Sequence, residues 1–440
     1  GFRMSEEKHC CPHRQKMEQE KKQGISRRHF VGAVGSAAAG LLAAACSRTS
    51  PLAPVAENAP KTPVAPPAGR VGGSGSSLSQ VATCDVKTYD YATLRSNIES
   101  AVDALGGLGD ICKPGDTVGI KLNMTGGDGN AKNCPKKYGV KAVELYWTHP
   151  EILRVCMELF RDAGAGRIIV MEAIYDNESY QKYGYMEVVN ALGGEFVNLN
   201  KMQPYKSFAA VAVSNPLGRW DHYYHHQALH ELNCFVSLPK AKRHYGAGVT
   251  HSLKNMVGSI PLSIYSTYND GKIGKEGSHR AAMHEQGWPT LVRNFLDICR
   301  IRPIHFAIND AIMTADNGEG PWNVGFGPYR YDKLIVGKDP VAVDSISTQV
   351  IGWDPMVDDF DGCFSQDSLP GTFTGTDNYL RIAQEAGMGI YDVNQINVID
   401  ATASTRVVKR GKIPRWDGQF CCPSLLKFSL NLSSRSAEHQ

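Results

Sequence analysis

Cys234-Phe-Val-Ser-Leu-Pro239-Lys240-Ala-Lys-Arg-His244-Tyr-Gly246-Ala-Gly248-Val-Thr250-His251-Ser-Leu-Lys254-Asn255-Met-Val-Gly258 passes from an apolar run into a dense set of polar side chains. The run Cys234–Pro239 reads as a buried strand. Glycines at 246 and 248 permit a tight turn and close backbone approach. Thr250 is expected as the N-cap of a short helix that ends near Gly258. Strand, glycine turn and helix start together form a layout that can hold an anion on backbone N–H groups. Lys240, Lys242, Arg243, His244, His251 and Lys254 surround it. Two readings stand: an anion-binding site, and a solvated basic loop.

Outward from this stretch, strands and helices alternate. Asp116–Met124 reads as a strand running into a polar turn, Pro150–Ala163 as a helix stopped by Gly164, and Arg167–Glu172 as a buried strand. A helix over Tyr185–Leu192 and a strand over Glu195–Leu199 follow. Further along come a helix from Trp288 to Cys299, strands at Ile304–Asp310 and Leu334–Gly337, and a helix opened by Pro340. The pattern predicts an α/β fold with a mainly parallel sheet covered by helices, in one domain or two joined lobes. Its cleft is expected at the carboxyl ends of the strands. Segments 125–148 and 261–287 read as long irregular loops.

The start of the chain reads as an export signal over residues 1–46. Ser26-Arg27-Arg28-His29-Phe30 precedes a short apolar run, as in twin-arginine signals. Leu42-Ala-Ala-Ala-Cys46 reads as a lipobox with a lipid anchor at Cys46, against a competing reading of ordinary cleavage after Ala-x-Ala. Localisation at the periplasmic or outer face of a membrane follows. Residues 47–80, rich in Pro, Ala, Gly and Ser, read as a tether, 81–410 as the folded body and 411–440 as a tail. The whole chain carries a net charge of +3. Removing the eight basic and four acidic residues of 1–46 brings it to −1, which argues against nucleic acid as a partner. The twelve cysteines include no C-x-x-C, which argues against an in-chain ferredoxin-type iron–sulfur cluster. Cys156 and Cys299 read as core thiols, while Cys84, Cys112, Cys134 and Cys363 are candidates for disulfides.

Four blocks line up beyond this. They are Gly119-Ile-Lys121-Leu-Asn123, the segment His244–Gly258, Asn309-Asp310 with Gly318-Glu319-Gly320-Pro321, and Lys338-Asp339-Pro340 with Asp344. Together they resemble the domain-of-unknown-function family 362 over roughly residues 110–400. Some members of that family carry ferredoxin modules and this chain has none. A more distant similarity is to the nickel-pincer lactate racemase family. That family has a His, a Gly-rich turn and a Lys ten positions later that holds its cofactor, as His244 and Lys254 are spaced here. The second glycine pair before that Lys is absent here, and Glu172-Ala173 stands where that family has a His. The resemblance therefore implies shared architecture without the shared nickel group.

Candidate chemistry falls on few residues. Lys121, His244 and Lys254 are the catalytic candidates, as acid/base, ligand or anion-holding groups. Asn123, Gly246, Gly248, Thr250, Asn255 and Glu319 are ligand-binding candidates. Asp310 and Asp344 are the candidates for a divalent metal, although the residues name no cofactor. Asp339 reads as a helix cap. The run His222-Tyr-Tyr-His225-His226 through His230 suits a metal only if helical, and it fits a strand equally well. Gly318–Pro328 reads as a lid or as a surface loop. The expected function is an enzyme acting on a small anionic metabolite such as a hydroxy acid or phosphate ester. The alternative is a non-catalytic envelope binding protein or an assembly factor for a redox complex with a protein partner.

Overall fold

The computed structural model describes residues 78–244, 246–266, 269, 271–277, 279–284, 288–358, 377–403 and 409–410. The export signal with Cys46, the tether up to residue 77, Cys363 and the tail 411–440 lie outside the described residues.

The strands are β1 (Ser79–Asp85), β2 (Thr117–Lys121), β3 (Arg167–Glu172), β4 (Glu195–Asn198), β5 (Ala209–Ala212), β6 (His222–His225) and β7 (Cys234–Ser237). They continue as β8 (Lys242–His244), β9 (Gly248–Thr250), β10 (Phe306–Asp316), β11 (Gly327–Gly337), β12 (Ile396–Asp400) and β13 (Lys409–Arg410). Nine form one sheet in the order β13-β12-β1-β11-β10-β7-β2-β3-β4. From β10 through β4 every pairing is parallel. β10 and β11 form a long antiparallel hairpin, and β1 pairs antiparallel with β11 and parallel with β12. The expected α/β fold with a mainly parallel sheet is thus present. Its correction is the hairpin: both strands are eleven residues long, extending the expected Ile304–Asp310 and Leu334–Gly337 to the tip around Gly318–Phe326.

Alternation along each central strand supplies a core on both faces. In β3, Ile169 and Met171 join one hydrophobic cluster and Ile168 and Val170 the other. Such strands, buried on both sides, read as continuous apolar runs. Helix α1 (Tyr91–Ala104) is opened by Asp90, whose carboxylate accepts the N–H of Thr93. Helix α2 (Pro150–Asp162) has Pro at its first position and His149 as N-cap, and it buries Ile152, Val155, Leu159 and Phe160. Gly164 follows it at φ 98°, a conformation that glycine adopts without a Cβ penalty. Helices α3 (Tyr185–Ala191), α4 (Trp288–Ile301), α5 (Pro340–Val350) and α6 (Tyr379–Glu385) complete the covering layers.

Several local expectations change. Residues 125–148 hold short helices at Gly127–Ala131, Cys134–Tyr138 and Ala142–Leu145. Of the His222 run, His222–His225 is strand β6, paired with β5, while Gln227–His230 is a 3-10 turn capped by His226, so the run forms no continuous helical face. Asp339 does cap α5, accepting the N–H groups of Val341 and Ala342. Cys84, Cys112 and Cys134 are buried free thiols that bond to backbone carbonyls, correcting the disulfide expectation for these three.

Candidate functional site

A cavity of about 450 Å³ opens at the carboxyl ends of β2 and β3. Lys121 closes β2 and Glu172 closes β3. Their ion pair, at 2.8 Å, is almost wholly shielded from solvent. The Lys121 ammonium also donates to the Leu122 carbonyl at 2.6 Å and to Asn255 Oδ1 at 3.5 Å. Burial lowers its pKa, and Glu172 opposes that shift. The second Glu172 oxygen accepts the Ala173 N–H at 2.9 Å. All three Lys121 protons are therefore engaged inside the protein. Gly258 presses on this pair: a Cβ there would come within 2.5 Å of Glu172 Oε1 and 2.6 Å of Lys121 Nζ. Close approach, rather than a helix stop, explains that glycine.

Asn255 continues the network. Its Nδ2 donates to Ser237 Oγ at 3.1 Å, and its Oδ1 accepts from Asn123 Nδ2 at 3.2 Å. That leaves Asn123 Oδ1 buried on the cavity wall with no hydrogen bond from a described residue. Thr250 Oγ1 is a second such oxygen on that wall. Buried polar atoms are ordinarily satisfied; these two oxygens are among several described side-chain atoms that are not, and their place on the cavity wall leaves them able to accept from a ligand donor.

His244 ends β8 and pairs with Gly248 of β9. Its Nδ1 accepts the N–H groups of Gly246 at 3.0 Å and Ala247 at 3.1 Å. The glycine turn therefore wraps the imidazole instead of cradling an anion, and a hairpin replaces the expected helix start at Thr250. Burial holds the His244 pKa well below its usual value, and the Lys254 charge pushes the same way. The ring is neutral, with its proton on Nε2. It can donate a hydrogen bond to a ligand, but that nitrogen has no lone pair with which to take a proton.

Lys254 opens the 3-10 turn Lys254–Ser259. Asp344 of α5 fixes this turn, accepting Ser252 N–H at 2.8 Å and Leu253 N–H at 3.0 Å. The Lys254 amine lines the cavity, is buried, and makes no hydrogen bond or ion pair with a described residue. Burial lowers its pKa to about 8. Glu319 opposes that shift, while Arg280 and Lys121 add to it. Arg280 donates through Nε to the Ile260 carbonyl at 2.7 Å and through Nη2 to the Ala173 carbonyl at 3.3 Å. Its Nη1 forms no hydrogen bond with a described residue. Glu319 sits at the hairpin tip, accepting from Trp322 Nε1 and Asn323 Nδ2, each at 2.9 Å. Trp322 lies against Gly126 at the cavity edge. The expected lid segment is thus tied to one wall of the cavity.

The cavity brings together Lys121, Asn123, His244, Thr250, Lys254, Asn255 and Glu319, but not Gly246, Gly248, Asp310 or Asp344. Asp310 belongs to another cluster, bonded to Lys240 Nζ at 2.5 Å and to Tyr89 Oη at 3.0 Å. Asp344 is held by Ser252, Leu253 and Asn309. Among the described residues no three His, Cys, Asp or Glu side chains gather as a metal-ligating group. Sequence reasoning missed Arg280 and His284, placed Trp322 only within the expected lid, and noted Glu172 only as a strand end and at the racemase family's histidine position. Arg280 precedes, and His284 ends, a short 3-10 turn with no periodicity to announce it. The one usable signal was Glu172 closing a buried strand next to the one closed by Lys121.

The model of the domain of unknown function DUF362 matches residues 118–349. A protein of Synechocystis sp. described as thylakoid-associated is 21% identical over 271 residues, covering 61% of this chain and 73% of that protein. A crystal structure of a Thermotoga maritima protein is similar at a TM-score of 0.35 and 11% identity, covering 59% of this chain and 58% of that one. The lactate racemase apoprotein from Thermoanaerobacterium thermosaccharolyticum is similar at a TM-score of 0.33 and 10% identity, covering 58% of this chain and 54% of that one. The chain thus spans a little over half the length of either solved structure. With the family model matching more than half of its residues, across both the Lys121 strand and the Asp344 helix, this chain belongs to the DUF362 family.

Proposed function

We propose that the cavity is the active site of an exported enzyme acting on a small organic anion that carries a hydroxyl or carbonyl beside its carboxylate. The observation that carries this reading is the buried, unpartnered Lys254 amine. It shares its cavity with the open Nη1 of Arg280 and the orphan Oδ1 of Asn123. Two cations suit a carboxylate, and a lone buried acceptor suits a hydroxyl. His244 Nε2–H supplies a neutral donor. Lys121 and Glu172 neutralise each other and hold Asn255 in place. The nickel group of the distantly similar racemase family does not fit, because Glu172 stands at the histidine position with both oxygens engaged. No step is assigned to it, and no metal is required at Asp310 or Asp344.

Calorimetric titration with lactate, glycolate and glycerate tests the reading. Binding by the native chain and its loss in Lys254→Met are expected. No binding by the native chain, or equal binding by the variant, would sink it.

Export and lipid anchoring at Cys46 belong to the same proposal, supported by the Arg27-Arg28 signal and the tether. A relative described as thylakoid-associated agrees with a membrane-facing location. Fatty-acid labelling lost in Cys46→Ser checks the anchor. A second reading, as a binding protein or assembly factor, draws on Trp322 and Val324. These are 45% and 69% exposed on the hairpin tip beside the cavity, where a partner could cover them.

A further inference from the structure

We propose that Lys254 is a covalent binding residue whose amine condenses with the carbonyl carbon of a 2-oxo acid held by its carboxylate at Arg280. This deepens the reading of the cavity as an anion-binding active site and rests on it.

Four buried lysines lie on the 240–258 segment or beside it, and three are committed. Lys121 is bonded to Glu172, Lys240 to Asp310 and Tyr89, and Lys242 to the Tyr146 carbonyl at 2.7 Å. Lys254 alone among these four makes no hydrogen bond or ion pair with a described residue; it lines the cavity, where the charge of Glu319 reaches it. A lysine that served only as a fixed charge would be expected to keep a carboxylate or carbonyl partner when buried. An amine with no fixed hydrogen-bond partner is suited instead to the neutral, nucleophilic state. The groups around it favour that state. Burial is the largest influence, Arg280 and Lys121 add positive charge, and only Glu319 opposes them. His244 and His284 on the same walls have depressed pKa values and are neutral at physiological pH. Glu319 is itself shared with Trp322 and Asn323.

The surroundings match the step. The Nζ lone pair adds to the carbonyl carbon, and the C=O π pair moves to oxygen, where His244 Nε2–H meets the growing charge. Proton transfer from nitrogen gives a neutral carbinolamine, whose hydroxyl can donate to Asn123 Oδ1. The nitrogen pair then closes the C=N bond as the C–O bond breaks, and the remaining N–H proton ends on the departing oxygen, which leaves as water. One carbonyl and one amine become one imine and one water, with no redox change. The cavity volume of about 450 Å³ accommodates a small acid and the departing water.

The test incubates the full chain with pyruvate or glyoxylate, reduces with sodium borohydride and maps adducts by peptide mass spectrometry. Lactate binding is measured in parallel by calorimetry. The expected result is one reduced adduct on the peptide carrying Lys254, sparing Lys240 and Lys242. Its yield should rise from about pH 7 to about pH 9 as the ammonium gives up its proton. Excess lactate should suppress it, and Lys254→Arg, which keeps the charge, should abolish it. Because the map is read on the native chain, misfolding of the variant does not blunt the test. Lactate binding with no Lys254 adduct, or labelling spread evenly over surface lysines, overturns the imine and leaves the anion site standing. Failure of both lactate binding and adduct formation overturns the imine together with the reading on which it rests.

Discussion

Asp344 holds Ser252 across 92 positions of sequence, accepting its N–H at 2.8 Å and its hydroxyl at 2.5 Å. Its second oxygen takes the Leu253 N–H, and Asn309 Nδ2 donates to the first at 3.0 Å. The carboxylate expected to bind a metal is thus the clamp that sets the turn bearing Lys254. Asp344→Ala leaves the buried Ser252 and Leu253 N–H groups unsatisfied, at about 1–3 kcal/mol each, while the Ser252 hydroxyl and Asn309 keep Pro340 and Ser347 as partners. A loss of about 2–6 kcal/mol in urea unfolding is expected, together with lost ligand binding in calorimetry.

Lys121 and Lys254 line the same cavity, yet their removal should act in opposite directions. Lys121→Met strands the buried Glu172 carboxylate and should cost about 3–5 kcal/mol. Lys254→Met breaks no hydrogen bond or ion pair with a described residue and removes an amine whose charged form burial disfavours. Its melting temperature should stay level or rise while ligand binding disappears. Paired thermal melts and titrations of the two variants separate the supporting role from the functional one.

Gly258→Ala tests the close approach at the ion pair. Its methyl group would sit 2.5 Å from Glu172 Oε1 and 2.6 Å from Lys121 Nζ, so one of the two must move. Overpacking of this kind costs about 1–3 kcal/mol. Denaturant unfolding should show a loss in that range, and a neutral result would mean that the pair relocates freely.

Acid should destabilise the protein through buried histidines. Burial depresses His230, His284 and His305 to about 4, and His251 to about 3. Their unfolded counterparts take protons near pH 6.5, so stability is full above that value and falls as pH drops towards about 4. Asp344 acts oppositely. Burial raises its pKa to about 6, so its contribution is largest below its unfolded pKa and fades as pH rises through about 6. The histidines outnumber it, and each unit of depression is worth about 1.4 kcal/mol. Melting temperatures measured from about pH 7 down to about pH 4.5 should therefore fall steadily.

Much of the fold was legible because apolar runs bounded by glycine and proline carry their own period. The expected strand over Arg167–Glu172 has its observed bounds, and the helix opened by Pro150 ends one residue early. The β10–β11 hairpin was harder to see. Its outer half, Ala311–Asp316 with Gly327–Lys333, mixes polar and apolar residues around a register shift, so alternation is broken. At the site, Lys121, Asn123, His244, Lys254 and Asn255, singled out by residue type, line one cavity. Direction was not legible: nothing in the letters says that the glycine turn faces the His244 ring and not a ligand. Arg280 escaped because its place depends on carbonyls at 173 and 260 that only the folded chain presents.

The Asp344 clamp also ties the site to the completed fold. The turn at 254 is held by a helix almost a hundred residues downstream, and its electrostatic surroundings draw on positions 121, 280 and 319. Contacts so distant in sequence close late, since loop closure must precede them. The depressed basicity of the Lys254 amine is therefore a property of the finished molecule, absent from a nascent or partly folded chain. Reactivity at this one nitrogen should serve as a chemical timestamp of completed folding.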